Sequence, residues 1–215
     1  METIEKYIRN NYYDKLNILL LTKDKKDIKN VLNLKMKGYP LLHRVEIKKF
    51  NSLIIDLLIE FGLNINDTDD IYGCNILMKA IEEKNEEMIL YLLRTNINLN
   101  AQDKKGQTAL HYAVYNLDYK TIDILLKFDS NSNIQDIHGN TAIMYIGYGL
   151  SNQMYTKQEK NELERKIVKL FMNEKGTGKF QMDILLKNNE GLKFSDIVEQ
   201  NNKNLYKFFV EIDEL

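Results

Sequence analysis

The sequence carries one cysteine, Cys74, one proline, Pro40, and three histidines in 215 residues. A lone cysteine excludes an internal disulfide framework and a cysteine-rich zinc site, and it fits a reducing compartment. The histidines His43, His111 and His138 form no H-x-x-x-H pair, and no His/Cys/Asp set shows metal-ligand spacing. Acidic and basic residues nearly cancel, 31 against 30, so no global field draws the chain onto nucleic acid or an anionic membrane. Long apolar runs are missing too: near the N-terminus, ILLL is far too short for a signal segment or a membrane span. The final IDEL is close to an ER-retention tetrapeptide, an address read only on chains that have entered the lumen. A cytoplasmic location is the expectation. With 44% hydrophobic and 28% charged residues, the chain holds enough apolar material for one sizeable domain or two small ones.

What the sequence does have is a period. Asp70, Asp103 and Asp136 stand 33 residues apart, and so do Gly73, Gly106 and Gly139. DIYGCNILMKA, DKKGQTALHYA and DIHGNTAIMYI each read Asp, two variable residues, Gly, one variable residue, then Asn or Thr opening an apolar run. Downstream, Ile89, Leu92 and Leu93 match Ile122, Leu125 and Leu126, a spacing that lines one helix face, and Asn100 matches Asn133. Each unit reads as a turn, a short helix, a second amphipathic helix and a loop back. Such a pair encloses no core alone, so neighbours must stack, and the expected architecture is an all-α solenoid.

The 33-residue period, the G-x-T-x-L-H-x-A opening of the inner helix and the leucine pair of the outer one resemble the ankyrin repeat. The resemblance covers roughly residues 35–200 and implies stacked helix-turn-helix units with hairpin fingers. It divides the chain into repeats at 35–69, 70–102, 103–135, 136–187 with an insertion, and a partial unit at 188–200. Residues 1–34 form an N-terminal capping pair of helices in this reading, and 201–215 a C-terminal cap. The first repeat carries the motif as Gly38, Pro40, Leu42 and His43. In the fourth, Thr156 and Glu159 have capping-box spacing, which predicts a helix from Thr156 to Met172 with its first polar turns projecting. The insertion is read as a solvated extension, with a second contact surface as the alternative.

His111 stands three residues after Thr108, where a capping-box side chain reaches back to the helix start. The same slot holds His43, Met78, His111 and Met144 in successive repeats. A packing position tolerates that exchange, so both histidines belong to the scaffold. The stretch KGTGKF, Lys175 to Phe180, lacks the first glycine and the Ser/Thr of G-x-x-x-x-G-K-S/T and reads as a flexible loop. No catalytic residue, cofactor or metal is expected. Departures from the family pattern put Lys84 and Leu117 between helices, and Asn96 and Asp129 after outer helices, where glycine is usual. Asn and Asp tolerate left-handed backbone better than other non-glycine residues.

The resemblance implies that a protein partner meets the hairpin tips and the exposed side of the inner helices. At the tips it selects Met36, Tyr39, Ile71, Tyr72, Cys74, Lys104, Lys105, Gln107, Ile137, His138 and Asn140. Glu82, Tyr115 and Tyr148 follow at the inner-helix ends. Apolar side chains at successive tips would form the kind of patch that marks an interaction site. The Asn-, Lys- and Ile-rich usage is similar to that of ankyrin proteins of large DNA viruses and intracellular bacteria, which implies a host-directed role. The pox-type versions often end in an F-box-like segment, and FSDIVEQNNKNLYKFFVEIDEL lacks its Leu-Pro opening. The expected function is a non-enzymatic binding module for another protein, with neither nucleic acid nor membrane as partner. The alternatives are a nucleotide-binding protein or enzyme using the Gly176–Lys179 loop, and a self-associating module.

Overall fold

Side-chain caps at the repeat spacing start the helices. Asn75 accepts the Met78 N–H at 3.0 Å, Asn85 the Met88 N–H at 3.0 Å, and Asp118 the Thr121 N–H at 3.1 Å. Each bond satisfies a donor that a helix N-terminus otherwise leaves orphaned. The computed structural model describes residues 2–44, 51–148, 156–172 and 182–213, and the chain divides into two compact units, residues 1–98 and 99–215.

The first unit contains α1 (Glu2–Arg9), α2 (Tyr13–Leu21), α3 (Lys25–Leu32), α4 (Leu41–Arg44), α5 (Ser52–Glu60), α6 (Ile76–Glu82) and α7 (Glu86–Leu92). Three helices, rather than a pair, precede Lys35. Arg44 ties α1 to the first turn: its guanidinium pairs with Glu5 at 3.0 Å and donates to the Tyr39 carbonyl at 2.8 Å. The core of this unit is Leu16, Leu20, Leu32, Leu41, Ile54, Leu58, Leu77, Ile81, Ile89 and Leu92, all buried.

The second unit contains α8 (Ala109–Tyr115), α9 (Tyr119–Lys127), α10 (Met144–Gly147), α11 (Lys157–Met172), α12 (Phe194–Asn201) and α13 (Lys203–Asp213). Leu110, Val114, Ile122, Leu125, Ile146, Val168, Phe171, Ile197 and Val198 fill its core. Each such side chain contributes about 1.5–3 kcal/mol of burial, which is how helices of seven to nine residues persist despite being too short to stand alone. Among the described residues there is no strand, only isolated bridges such as Met36 with Tyr39 and Gln135 with Thr141.

Inner and outer helices are joined through left-handed residues, Lys84 (φ 55°) and Leu117 (φ 52°). Leu117 accepts this strained backbone while its side chain is buried. After α9 the chain turns through Asp129 (φ 62°). Asn96 does not do the same after α7, contrary to the expectation from the sequence. There the helix leaves through tight turns, Arg94 N–H to Tyr91 O and Thr95 N–H to Leu92 O at 3.0 Å each, and the Thr95 hydroxyl also bonds Leu92 O.

A series of asparagines holds each loop to the next within its unit. Asn33 Oδ1 accepts the Asn64 N–H at 2.7 Å and Asn66 Oδ1 the Asn98 N–H at 2.6 Å. In the second unit Asn100 accepts from Asn131 at 2.9 Å and Asn133 from Asp183 at 2.7 Å.

Helix α11 begins as the sequence indicates, with the Thr156 N–H and hydroxyl both donating to Glu159 at 2.9 and 2.6 Å. Its first turn is exposed, and so are Glu162, Arg165 and Lys166 further along, but the opposite side is covered. Glu164 is 1% exposed, a departure from the projecting helix. Asn202 explains this: its amide donates to Glu164 Oε2 at 3.1 Å, while its own oxygen caps α13 through the Leu205 N–H. Burial raises the Glu164 carboxyl above its usual range, against the opposing pull of Lys160 and Asn202. Residues 149–155 of the insertion and the Gly176–Lys179 loop lie outside the described residues.

Candidate partner-binding surface

An aspartate, or in the last case an asparagine, organises the turns that follow the first. In the second unit, Asp103 Oδ1 accepts the Lys105 and Gln107 N–H groups at 2.8 and 2.7 Å, and the Asp103 N–H bonds the Gln107 carbonyl at 2.9 Å. Asp136 repeats this with His138 and Asn140, and Asn188 with Glu190 and Leu192. Gly106 sits at φ +74°, and a Cβ there would stand 2.9 Å from the Ile137 nitrogen. Both the conformation and the close approach require glycine. The carboxylate and the glycine define the bend, so the two residues between them face outward.

In the first unit the organising residue is Asp69. Its carboxylate accepts the Ile71, Tyr72 and Cys74 N–H groups at 2.9, 2.6 and 2.9 Å. Burial pushes this carboxyl upward, but the Tyr72, Cys74 and Ile71 N–H bonds outweigh it and hold it below the usual range. Asp70, the residue the 33-residue period selects, is an extra residue in the turn, and it pairs with Lys35 at 2.7 Å. The equivalent series is therefore Asp69, Asp103, Asp136 and Asn188.

Adjacent turns within a unit are joined backbone to backbone. The Asp70 N–H bonds Gly38 O at 2.7 Å in the first unit; Ile137 N–H bonds Lys105 O at 2.9 Å and Asn189 N–H bonds His138 O at 3.0 Å in the second. Met36, Ile71 and Tyr72 are exposed at 44%, 45% and 61%, and Ile137 at 57%. Lys104, Lys105, His138, Tyr115 and Glu82 are exposed as well, whereas Tyr39 and Cys74 are half-buried.

Three of the sequence-selected residues face inward. Asn140 is only 9% exposed: its side-chain oxygen accepts from Asn188 Nδ2 at 3.0 Å and its carbonyl faces His111 Nε2 at 3.2 Å. Gln107 is half-buried and donates to the Tyr145 hydroxyl. Tyr148 is half-buried, accepting from Asn188 at 2.6 Å and donating to Glu190 at 3.3 Å. Beneath the tips, Tyr112 donates to Asp103 at 3.0 Å and Tyr145 to Asp136 at 2.8 Å. Burial, then the Asp136 bond, raises the Tyr145 phenol well above its ordinary range.

His111 closes the capping box. Its Nδ1 accepts the Thr108 N–H at 3.1 Å, which leaves the proton on Nε2, directed at the Asn140 carbonyl. His43 fills the same slot in the first unit, buried, with neither ring nitrogen hydrogen-bonded. Among the described residues no group of three or more His, Cys, Asp or Glu could hold a metal ion, and no helix is long and apolar enough to cross a membrane.

Comparison with known proteins extends this geometry. Residues 77–126 match a family model for ankyrin repeats in many copies. An ankyrin repeat protein of fowlpox virus (strain NVSL) is 37% identical over 86 residues, 40% of this chain and 19% of that protein. A second from the same virus is 41% identical over 44 residues, 20% of this chain and 8% of the relative. The matches thus span a small part of either relative's length. The crystal structure of an ankyrin repeat domain from Acinetobacter baumannii AYE superposes with a TM-score of 0.73 at 17% identity, covering 98% of this chain and 97% of that one. Ankyrin repeats are general protein–protein interaction modules. The aspartate-and-glycine turns, the paired helices and these similarities give the chain the all-α fold of stacked ankyrin repeats, with residues 77–126 matching the ankyrin-repeat family itself.

Proposed function

We propose that this chain is a non-enzymatic module that sequesters or scaffolds a protein partner through its turn tips and inner-helix ends. The supporting observation is the exposure of Met36, Ile71, Tyr72 and Ile137 at positions whose side chains the turns themselves do not use. An apolar anchor desolvated by a partner contributes on the order of 2 kcal/mol. Lys104 and Lys105, exposed in the turn bonded to that of Ile137, favour a partner presenting acidic groups there. The viral relatives support a host cell protein as partner and the cytoplasm as the place of action.

The test is affinity capture from host lysate with mass spectrometry, comparing wild type with an Ile71→Glu, Ile137→Glu variant whose helicity is unchanged by circular dichroism. A protein retained by wild type and lost by the variant is the expected result. Equal capture by both would sink the tip reading. Recovery of only a second copy of the chain would replace it with self-association.

A further inference from the structure

Three tyrosines under the turns have committed hydroxyls, Tyr112 on Asp103, Tyr145 on Asp136 and Tyr148 on Glu190, and so has Tyr91 of α7, on Asp56. Tyr72 differs. Its N–H is fixed on Asp69, but its side chain leaves the turn, and among the described residues its hydroxyl has no hydrogen-bond partner. It is also more exposed than Tyr115, Tyr12 or Tyr119.

Its surroundings are chemically distinctive. The turn reads NDTDDIYGC, with Asp67, Asp69 and Asp70 before the tyrosine, an exposed Ile71 immediately preceding it and Gly73 following at φ +78°. The Lys35 ammonium lies 3.7 Å from Asp67 and 2.7 Å from Asp70, while the Asp69 carboxylate is held by the turn's own N–H groups; once the segment is extended, all three acids lie within five residues before the tyrosine. Tyr115 has Ala113 and Val114 before it and no carboxylate. Tyr119 follows Asp118, whose carboxylate is engaged in capping α9 through Thr121.

We infer that Tyr72 is a phosphorylation site, the acceptor for a protein-tyrosine kinase whose peptide groove is basic and takes an aliphatic residue just before the tyrosine. Charge patterns of this kind discriminate kinase substrates. The phenolic oxygen attacks the γ-phosphorus of magnesium-bound ATP, the bridging P–O bond to the β-phosphate breaks, and ADP leaves. The phenolic proton passes to the kinase's own carboxylate base. Extending the segment into such a groove breaks the Asp69 bonds to Tyr72 and Cys74 while the buried side chains of α6 stay in place. The product carries about −1.5 to −2 charge where an apolar tip stood. That this weakens partner binding rests on the docking reading above; the modification itself does not.

The experiment incubates the full chain with magnesium ATP and the catalytic domain of a soluble tyrosine kinase that prefers acidic flanks, following uptake by intact mass and peptide mapping. One phosphoryl group at Tyr72 is expected, and Tyr72→Phe should take up none. Asp67→Asn with Asp70→Asn, which leaves the turn-forming Asp69 intact, should slow uptake about tenfold. Phosphate distributed over Tyr12, Tyr115 and Tyr119 as fast as over Tyr72 overturns the inference. So does a folded chain that takes up none under conditions that modify a peptide spanning Asn66 to Leu77. Partner capture is scored separately with Ile71→Glu, so loss of the docking reading and loss of the site give different results.

Discussion

His43 in the first unit and His111 in the second occupy the same slot of the repeat, yet only one is built into a bond network. Thr108 gives His111 an N–H and a hydroxyl to work with, the latter 2.9 Å from Nδ1, and the Asn140 carbonyl takes the other nitrogen. At the corresponding position before His43 stands Pro40, which has neither hydroxyl nor N–H. The Asn75 backbone lies near enough to raise the affinity of His43 for a proton, without closing a bond of normal geometry. The same letter in the same motif is a satisfied polar group in one unit and an unsatisfied one in the other. The difference is set by one residue three positions earlier.

The largest test of that contrast is truncation. His111→Ala should destabilise the protein by about 2–4 kcal/mol, because it opens space in the core and strips partners from the Thr108 N–H and the Asn140 carbonyl. His43→Met, which copies Met78 and Met144, should lie within about 1 kcal/mol of wild type or stabilise it, since it buries no orphan nitrogen. Urea denaturation followed by circular dichroism measures both. Equal losses at the two sites would contradict the bonding described.

Acid provides the next largest effect. Burial holds both imidazoles below their usual pKa, offset in part by the Asn140 backbone, Asp136 and Asp103 around His111, and by the Asn75 backbone, Asp69 and Asp67 around His43; Lys79 adds to the depression of His43. Below about pH 6.5 the unfolded chain therefore binds protons that the folded chain refuses, and stability falls as pH drops. The slope is at most about 1.4 kcal/mol per pH unit for each histidine. Asp69, depressed by its N–H partners, adds loss only below about pH 4. Glu164, raised by burial, has the opposite sign, withholding stability at neutral pH and returning it as pH falls. Urea midpoints in a Glu164→Gln background should thus fall steadily from about pH 7 towards about pH 5. The double His43→Met, His111→Met change should flatten that segment of the curve.

The smallest effect is a repair. Pro40→Thr supplies the missing cap and should stabilise the first unit by about 1 kcal/mol. The gain should vanish in a His43→Met background, where a capping box has no imidazole to close it. A gain that persists there would assign the effect to relief of proline geometry instead.

The scaffold was legible where the chemistry is local. The Thr108 and His111 pair, the glycine turns and the Thr156 cap follow from neighbours within a few positions, the period from comparing one unit with the next, and the bends at Lys84 and Leu117 from the resemblance, which has glycine there. Asp69 was not legible, because Asp70 keeps the same distance from its helix cap, Asn75, that Asp103 and Asp136 keep from Thr108 and Thr141. Only the three N–H groups that converge on the earlier carboxylate decide between them. Asn140 was misplaced for a different reason: the side chain that encloses it, Asn188, comes from 48 residues away. Glu164 likewise owes its burial to the helix that starts after Asn202. Local pattern reports how a turn bends and is silent about what later covers it.

The bonds that join one turn to the next run from main-chain nitrogen to main-chain oxygen, and in two cases the donor is the N–H of an outward-facing tip residue, Ile137 or Asn189. Any amino acid except proline supplies that donor. Where the tip side chain makes no bond of its own, as at Ile137, substitution is therefore nearly invisible to the stack, and selection can rewrite what that part of the surface recognises, one letter at a time, while the turn-to-turn bond persists.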